Sequence, residues 1–383
     1  MNQAPKNLLL FVVDSLRWDE LPQDLAQRGV TFKTVAQSLY SAPSFSTLST
    51  GLYPQEHGVA RWEDKLRTDL PNIYDLPGTD GGFYQDADPQ TEAMFRVLSR
   101  ETATPLKSLK PPFVYLERDT SPHPPLAGFE TVTEYYRSRG SNWQTIRNEY
   151  REGIETSLDR LEDRLDHLQE RGLLDETLVI VTSDHGELFG EHGGVGHTAP
   201  AVPELVYVPT VFLYPSLGED SFHADPANDI IEHVDVVETA VSLMGKNINT
   251  SGTNLLEQSR KREWGYNRIE VWNRDKEFYT ADSIWGPEGG VAITRNSRIM
   301  RTIYAIYRLT RGAERHAARD SPFSLVESYL SNTAQFGKAE FSPSEAEAII
   351  DEFETMLNKR SSEQERLDDA TRDRLEELGY LDS

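Results

Sequence analysis

Three stretches of this chain hold residue types that could do chemistry at workable spacing. Asp14 closes the apolar run Leu8-Leu9-Leu10-Phe11-Val12-Val13, and Asp184-His185 follows the run Thr177-Leu178-Val179-Ile180-Val181-Thr182. A carboxylate oxygen and an imidazole nitrogen leaving rigid strand ends suit a divalent metal ion. Either end alone reads more readily as a turn carboxylate or a capping histidine. Two such ends in one sheet leave the metal and structural readings level. The third stretch runs from Tyr40-Ser41-Ala42-Pro43-Ser44 through Thr50-Gly51 and Tyr53-Pro54 to His57-Gly58-Val59. It is a hydroxyl-rich turn opening a small-residue helix that Gly51 ends. A helix start offers free N–H groups and a positive dipole to an anion, and a hydroxyl there becomes a nucleophile if a metal or base lowers its pKa. Taken alone, such a serine is more often a cap.

Positioning these groups falls to elements with the grammar of a doubly wound fold. The continuous apolar runs 8–13, 113–116, 177–182 and 209–214 read as strands buried on both faces. Ile146, Tyr150, Ile154, Leu158, Leu161, Leu165 and Leu168 recur at helical spacing between the second and third runs, and Gly172 ends that helix. Strand, long helix, strand predicts an α/β fold: a doubly wound, mostly parallel sheet flanked by helices, over residues 1–265. Residues 266–383 predict a smaller α+β subdomain. Its strand-like pieces are 278–280, 290–294 and 299–304, followed by a helix capped by Ser342-Pro343-Ser344-Glu345 and a last helix from Leu367 to Leu378, ended by Gly379.

Composition narrows the partners. The 383 residues carry 39 Lys+Arg against 63 Asp+Glu, a net charge of -24. Nucleic acid is therefore not expected as a partner. The 10 Lys and 29 Arg give the Lys-poor, acid-heavy balance of a halophilic protein. Absence of cysteine excludes disulfides, Cys-ligated metal and a cysteine nucleophile. The run 8–13 is too short to span a membrane, so the expected setting is cytoplasmic.

Together the three stretches resemble the sulfatase-like family of the alkaline phosphatase superfamily. The opening strand and acidic ligand match Leu10-Phe11-Val12-Val13-Asp14-Ser15-Leu16-Arg17. The nucleophile signature matches Ser41, Pro43, Ser44, Thr50-Gly51, Tyr53-Pro54 and His57-Gly58-Val59. The second metal block resembles Thr182-Ser183-Asp184-His185-Gly186-Glu187, continuing through Gly190-Glu191-His192-Gly193 to Gly196-His197, and the substrate-binding Pro-His-x-Pro resembles Pro122-His123-Pro124-Pro125. Leu378-Gly379-Tyr380-Leu381 is also similar to the family's ending.

This resemblance implies one divalent metal ion (manganese, zinc, calcium or magnesium) ringed by Asp14, Ser41, Asp184 and His185. It implies catalytic roles for Ser41 as nucleophile and for His57, His123 and His197 in holding the anion or protonating the leaving group. His192 is expected to be a structural loop histidine, and Arg17 an exposed arginine paired with Asp19 or Glu20. Two departures shape the chemistry. Phe45 stands where sulfatases carry the arginine that helps direct formylglycine formation, and Ser15 stands where a full calcium site has a second aspartate. Ser41 is thus expected to act unmodified on an anionic ester (a small molecule, or a glycan or lipid head group), with phosphoesters favoured over sulfate esters. A phospho-alcohol transferase and a non-catalytic relative that only binds ligand are the competing expectations. Substrate choice is assigned to the loops 61–80 and 126–142.

Overall fold

The computed structural model describes residues 4–197, 200–273, 276–310, 315, 322–364 and 367–378. Its main sheet has seven strands: β1 (Asn7–Val13), β2 (Val30–Val35), β3 (Asp80–Gln85), β4 (Phe113–Asp119), β5 (Thr177–Thr182), β6 (Tyr207–Leu213) and β7 (Ile230–Glu232). Their spatial order is β7-β2-β6-β5-β1-β4-β3. Only β6 runs against its neighbours β2 and β5; the other pairings are parallel. The sheet is the mostly parallel, helix-flanked α/β architecture expected. Every residue of β1, β4 and β5 is buried, as continuous apolar runs require in a sheet covered on both faces.

The topology lines up the strand ends that matter. β1 lies between β4 and β5, with Leu8 opposite both Val114 and Leu178. Asp14, Asp119 and Asp184 therefore emerge along one carboxyl edge, where ligands bind in open α/β sheets. Of the helices, α1 (Ser41–Thr50) is entirely buried, and Gly51 closes it at φ 68° in the left-handed region. The long α2 (Trp143–Glu170) buries Ile146, Tyr150, Ile154, Leu161 and Leu168 against the sheet. Gly153 lets it approach the chain closely, since a Cβ there would lie 2.5 Å from the carbonyl oxygen of Ser121. That contact seats the turn leading into His123. The helix α3 (His233–Leu243) packs against α1.

A second, antiparallel sheet follows: β8 (Gly265–Asn273), β9 (Lys276–Trp285), β10 (Gly289–Thr294) and β11 (Thr333–Gly337), in that order. The helices here are α4 (Arg298–Thr310), α5 (Pro322–Leu330), α6 (Pro343–Met356) and α7 (Asp369–Glu377). Residues 299–304 correct the strand expectation. They lie inside α4, which buries Arg301, Tyr304, Ala305 and Arg308 at helical spacing. β-branched content suggested a strand, but the period of burial decides the element. Ser342 caps α6 as expected, accepting from the Glu345 N–H. Gly379, Tyr380 and Leu381 lie outside the described residues. The end of the chain returns to the first sheet's side: Glu363–Gln364 pairs with Asp64–Lys65, and α7 borders the cleft described below.

Candidate active site

The loops after β1 and β5 are laced together before any ligand is considered. Ser15 turns the chain at φ 66°, an uncommon conformation for a non-glycine residue. Its N–H donates to Asp184 Oδ1 (3.2 Å) and its hydroxyl to Asp14 Oδ1 (3.1 Å). The Leu16 N–H donates to Ser183 Oγ at 2.8 Å. Gly186 is required for the same packing, because a Cβ would meet the Glu204 carbonyl oxygen at 1.9 Å.

Asp14, Asp184 and His185 are fully buried and offer ligand atoms within 4.8 Å of one another. The tautomer of His185 suits metal binding, since Nδ1 donates to the Gly186 carbonyl (2.9 Å) and leaves the Nε2 lone pair facing inward. That Nε2 stands 3.3 Å from Asp184 Oδ2 and 3.8 Å from Asp14 Oδ1. Asp184 Oδ2 is buried with no hydrogen-bond donor upon it. An orphaned buried carboxylate oxygen beside two further donors is what a bound cation satisfies. The donor set fits one divalent ion.

Ser41 opens α1 at the edge of this group, its Oγ 3.2 Å from His185 Nε2. Sequence reasoning missed the guanidinium that completes the group. Arg118, near the end of β4, donates to Asp14 Oδ2 through Nε (2.9 Å) and Nη2 (2.6 Å), and Nη2 stands 3.4 Å from Ser41 Oγ. Its guanidinium lies 5.5 Å from the centre of the Phe45 ring. Phe45, which replaces the signature arginine, thus lies beside an arginine from another strand. Glu187 was also passed over as a candidate, although it lies in the quoted block. Its carboxylate is buried 3.4 Å from the Ser15 hydroxyl.

Burial and mutual repulsion set the charges. Burial raises the Glu187 carboxyl to about 8, with the Asp14 charge adding to the effect. Burial likewise raises Asp184, again reinforced by Asp14. Asp14 itself, despite burial, is held below the carboxylate range by Arg118 and the neighbouring histidines. Burial lowers His123 to about 4 and His197 well below its ordinary value, so both are neutral at pH 7. These two histidines meet at Nε2–Nε2 3.3 Å, and the His197 ring stacks on His185 with centroids 4.2 Å apart.

The structure does not bring His57 into this group. Its Nε2 bonds Thr47 Oγ1 (3.1 Å) and its Nδ1 accepts from the Val59 N–H (3.1 Å). Burial lowers it to about 3. It ties α1 to the loop that follows, which is a positioning task. His192 pairs with Glu204 at 3.3 Å, away from the group. Arg17 corrects the expectation of an exposed side chain: it is buried, donating to Asp19 and reaching Glu191. A cleft of about 440 Å³ opens beside Arg118 and His123. Phe129 and Glu130 bring the 126–142 loop to it, whereas the loop 61–80 contributes nothing to its lining. Residues 85–87 and Glu92 stand there instead, with Arg374 and Glu377 of α7.

Comparison with known proteins accords with this geometry. The family model described as Sulfatase matches residues 106–246, the span that holds β4, α2, β5 and the Asp184-His185 block. Residues 106–246 thus hold a Sulfatase-family domain. It is 29% identical, over 98% of its length and 96% of the relative's, to a protein of Haloferax volcanii named low-salt glycan biosynthesis sulfotransferase Agl7. Among solved structures, a 2-O GAG sulfatase aligns with TM-score 0.57 and 14% identity, covering 94% of this chain and 95% of its own. Phosphonate monoester hydrolase SpPMH from Silicibacter pomeroyi aligns with TM-score 0.56 and 17% identity, over 76% and 87%. These two likenesses establish the shared fold. Sulfatase-family members are metal-dependent, in keeping with the Asp14, Asp184 and His185 donors. No helix among the described residues is long and apolar enough to cross a membrane.

Proposed function

We propose that this sulfatase-family chain is a metal-dependent hydrolase of anionic esters that uses Ser41 as nucleophile and favours phosphoesters over sulfate esters. The observation that carries the reading is Ser41 Oγ, held 3.2 Å from His185 Nε2 and 3.4 Å from Arg118 Nη2 at the start of a buried helix. Asp14, Asp184 and His185 would hold one divalent ion, which supplies charge that lowers the pKa of a nearby hydroxyl and screens the ester's anionic oxygens. Ser41 gives its proton to water as Oγ attacks phosphorus in line, and the ester oxygen departs to the opposite side, taking a proton from solvent by way of His123 or His197. His123 and His197, neutral without substrate, border the departing group; an arriving anion raises their proton affinity and suits them to hold or protonate it. Arg118 faces both Ser41 and the cleft and offsets the charge gathered at phosphorus. Water then attacks the seryl phosphate, releasing phosphate and restoring the Ser41 hydroxyl.

Preference for phosphorus follows from the unmodified serine. Sulfatases free their enzyme by collapse of a formylglycine hydrate, and Phe45 removes the arginine associated with making that group. A plain seryl phosphate can be attacked again at phosphorus. The Haloferax relative's name supports a second reading, in which the covalent ester passes to an acceptor alcohol, such as a glycan hydroxyl, instead of water. That relative also supports reading the acidic surface as salt adaptation. At roughly 1 M salt the Debye length is about 3 Å, so surface charge hardly repels an approaching anion.

A panel of aryl phosphate, bis-aryl phosphate and aryl sulfate, with added manganese, zinc or calcium at several salt concentrations, separates these readings. Hydrolysis releases inorganic phosphate in step with the aryl alcohol; transfer releases the alcohol and labels the acceptor. Metal-dependent turnover of the sulfate alone would sink the phosphoester preference. Formylglycine at position 41 would sink the serine nucleophile.

A further inference from the structure

Beyond Thr182 the main sheet lets go of the chain that carries two of the three metal donors. The last pairings of β5 set Thr182 opposite Val12 on one side and opposite Thr210 on the other. Asp184 and His185 come next, so something other than the strand ladder must set their direction. Part of the answer lies in the loop itself: Ser183 Oγ accepts from the Leu16 N–H and donates to the His185 carbonyl, both at 2.8 Å. The Ser183 carbonyl is held from a distant helix instead, by His233 Nε2 at 2.8 Å. Thr182 Oγ1 lies 3.5 Å from the same oxygen but is closer to the Pro209 carbonyl, at 2.9 Å.

His233 is well anchored for that bond. It is the first residue of α3 and is fully buried. Its N–H donates to Gln37 Oε1 (2.9 Å), and the preceding Glu232 N–H donates to Asp235 Oδ2 (2.9 Å), so the backbone beneath the ring is fixed. A carbonyl oxygen only accepts, so Nε2 carries the ring proton, while Nδ1 is buried without a partner. Among the described residues, the bond to Ser183 is therefore the ring's one hydrogen bond. The Ser183–Asp184 peptide is planar, so a bond on its oxygen also fixes the direction in which Asp184 leaves it. Downstream, the Gly186 N–H is pinned to the Leu205 carbonyl at 2.8 Å. Asp184 and His185 thus hang between one bond from α3 and one from residue 205. We propose that His233 is a positioning residue for the metal centre, its bond to Ser183 aiming Asp184 Oδ2 and His185 Nε2 at the ion. This rests on the reading of Asp14, Asp184 and His185 as metal donors. Partners that orient ligands from behind typically govern about tenfold or more in metal affinity.

Calorimetric titration of the metal-free full chain with manganese, zinc, calcium and magnesium chloride finds the ion that binds most tightly, and that ion then compares the variants. His233→Phe keeps the bulk of the ring and deletes the donor, and should weaken the Kd about tenfold or more. His233→Gln puts an amide N–H close to where Nε2 lies and should bind the ion as the wild type does. If His233→Phe does not fold, His233→Asn, polar but too short to reach Ser183, should show the same loss. A merely structural histidine would lower the melting temperature and the fraction of molecules that bind, with the Kd of the folded molecules unchanged; that result overturns the proposal. Equal weakening in His233→Gln and His233→Phe overturns it too, because the donor would not be what matters. Wild-type protein that binds none of the four ions would overturn the metal reading itself, and this proposal with it.

Discussion

Among the clusters of buried charge in the described residues, two are built on opposite plans. At the start of α3, Glu232 and Asp235 are met by Arg260 and Arg262, two carboxylates against two guanidinium groups. Glu232 also accepts from Gln37, the Tyr53 hydroxyl and the Tyr266 N–H, while Asp235 accepts from the N–H groups of Glu232 and Thr253. This cluster joins α3 to β8, and its charges and lone pairs are satisfied from within. At the carboxyl ends of β1 and β5, Asp14, Asp184 and Glu187 are all buried, and the guanidinium bonded to Asp14 is that of Arg118. Asp184 Oδ2 is left without a donor. Balanced buried charge holds a structure together; unbalanced buried charge is costly until something binds.

The contrast is sharpest in turnover. Ser41→Ala should lower ester turnover by roughly 10⁴-fold with little change in melting temperature, whereas Glu232→Gln should leave turnover per folded molecule within a few-fold. Parallel kinetics and thermal melts check both arms, and equal losses at the two sites would erase the distinction.

Stability reverses the ranking. Glu232→Gln leaves Arg262 without its carboxylate and Arg260 with Asp235 alone, and should cost about 3 kcal/mol in denaturant unfolding. Asp184→Asn relieves repulsion with Asp14 and should stabilise the metal-free protein by about 1–2 kcal/mol, while abolishing the rise in melting temperature on adding metal. A destabilised Asp184→Asn protein would show that the active-site charges are already compensated.

The smallest effect concerns His57, whose burial lowers its pKa to about 3. Neutral in the fold and charged in the unfolded chain below about 6.5, it contributes stability that is present above that pH and lost as pH falls toward 3. The slope from this group is at most about 1.4 kcal/mol per pH unit. His57→Gln should flatten the acid limb of the stability profile and leave turnover per folded molecule within a few-fold. A collapse of turnover would return His57 to the reaction centre.

What the sequence revealed and concealed follows from how each group is held. Asp14 and Asp184 were legible because each ends an apolar run, and a buried strand's end is a local signal. Arg118 was not legible. The apolar run stops at Leu116, and Glu117-Arg118-Asp119 looks like a solvated turn, yet all three residues are buried strand. Their partners come from far along the chain: Arg164 for Glu117, Arg160 for Asp119 and Asp14 for Arg118. Such pairings have no local signature. The short strands 30–35, 80–85 and 230–232 escaped notice because Lys33, Gly81-Gly82 and the three-residue length of the last interrupt or truncate the apolar signal. His57 matched a motif, but a motif cannot say which side of its helix a ring faces.

The central claim is that the unbalanced cluster, loaded with a divalent ion, makes Ser41 the covalent nucleophile. Rapid acid quenching of the metal-loaded enzyme during turnover of an aryl phosphate, followed by peptide mass spectrometry, tests it directly. The account predicts phosphate esterified to Ser41, present only with metal and absent in Asp184→Asn. Turnover with an unmodified Ser41 peptide throughout, or formylglycine at that position, would contradict it.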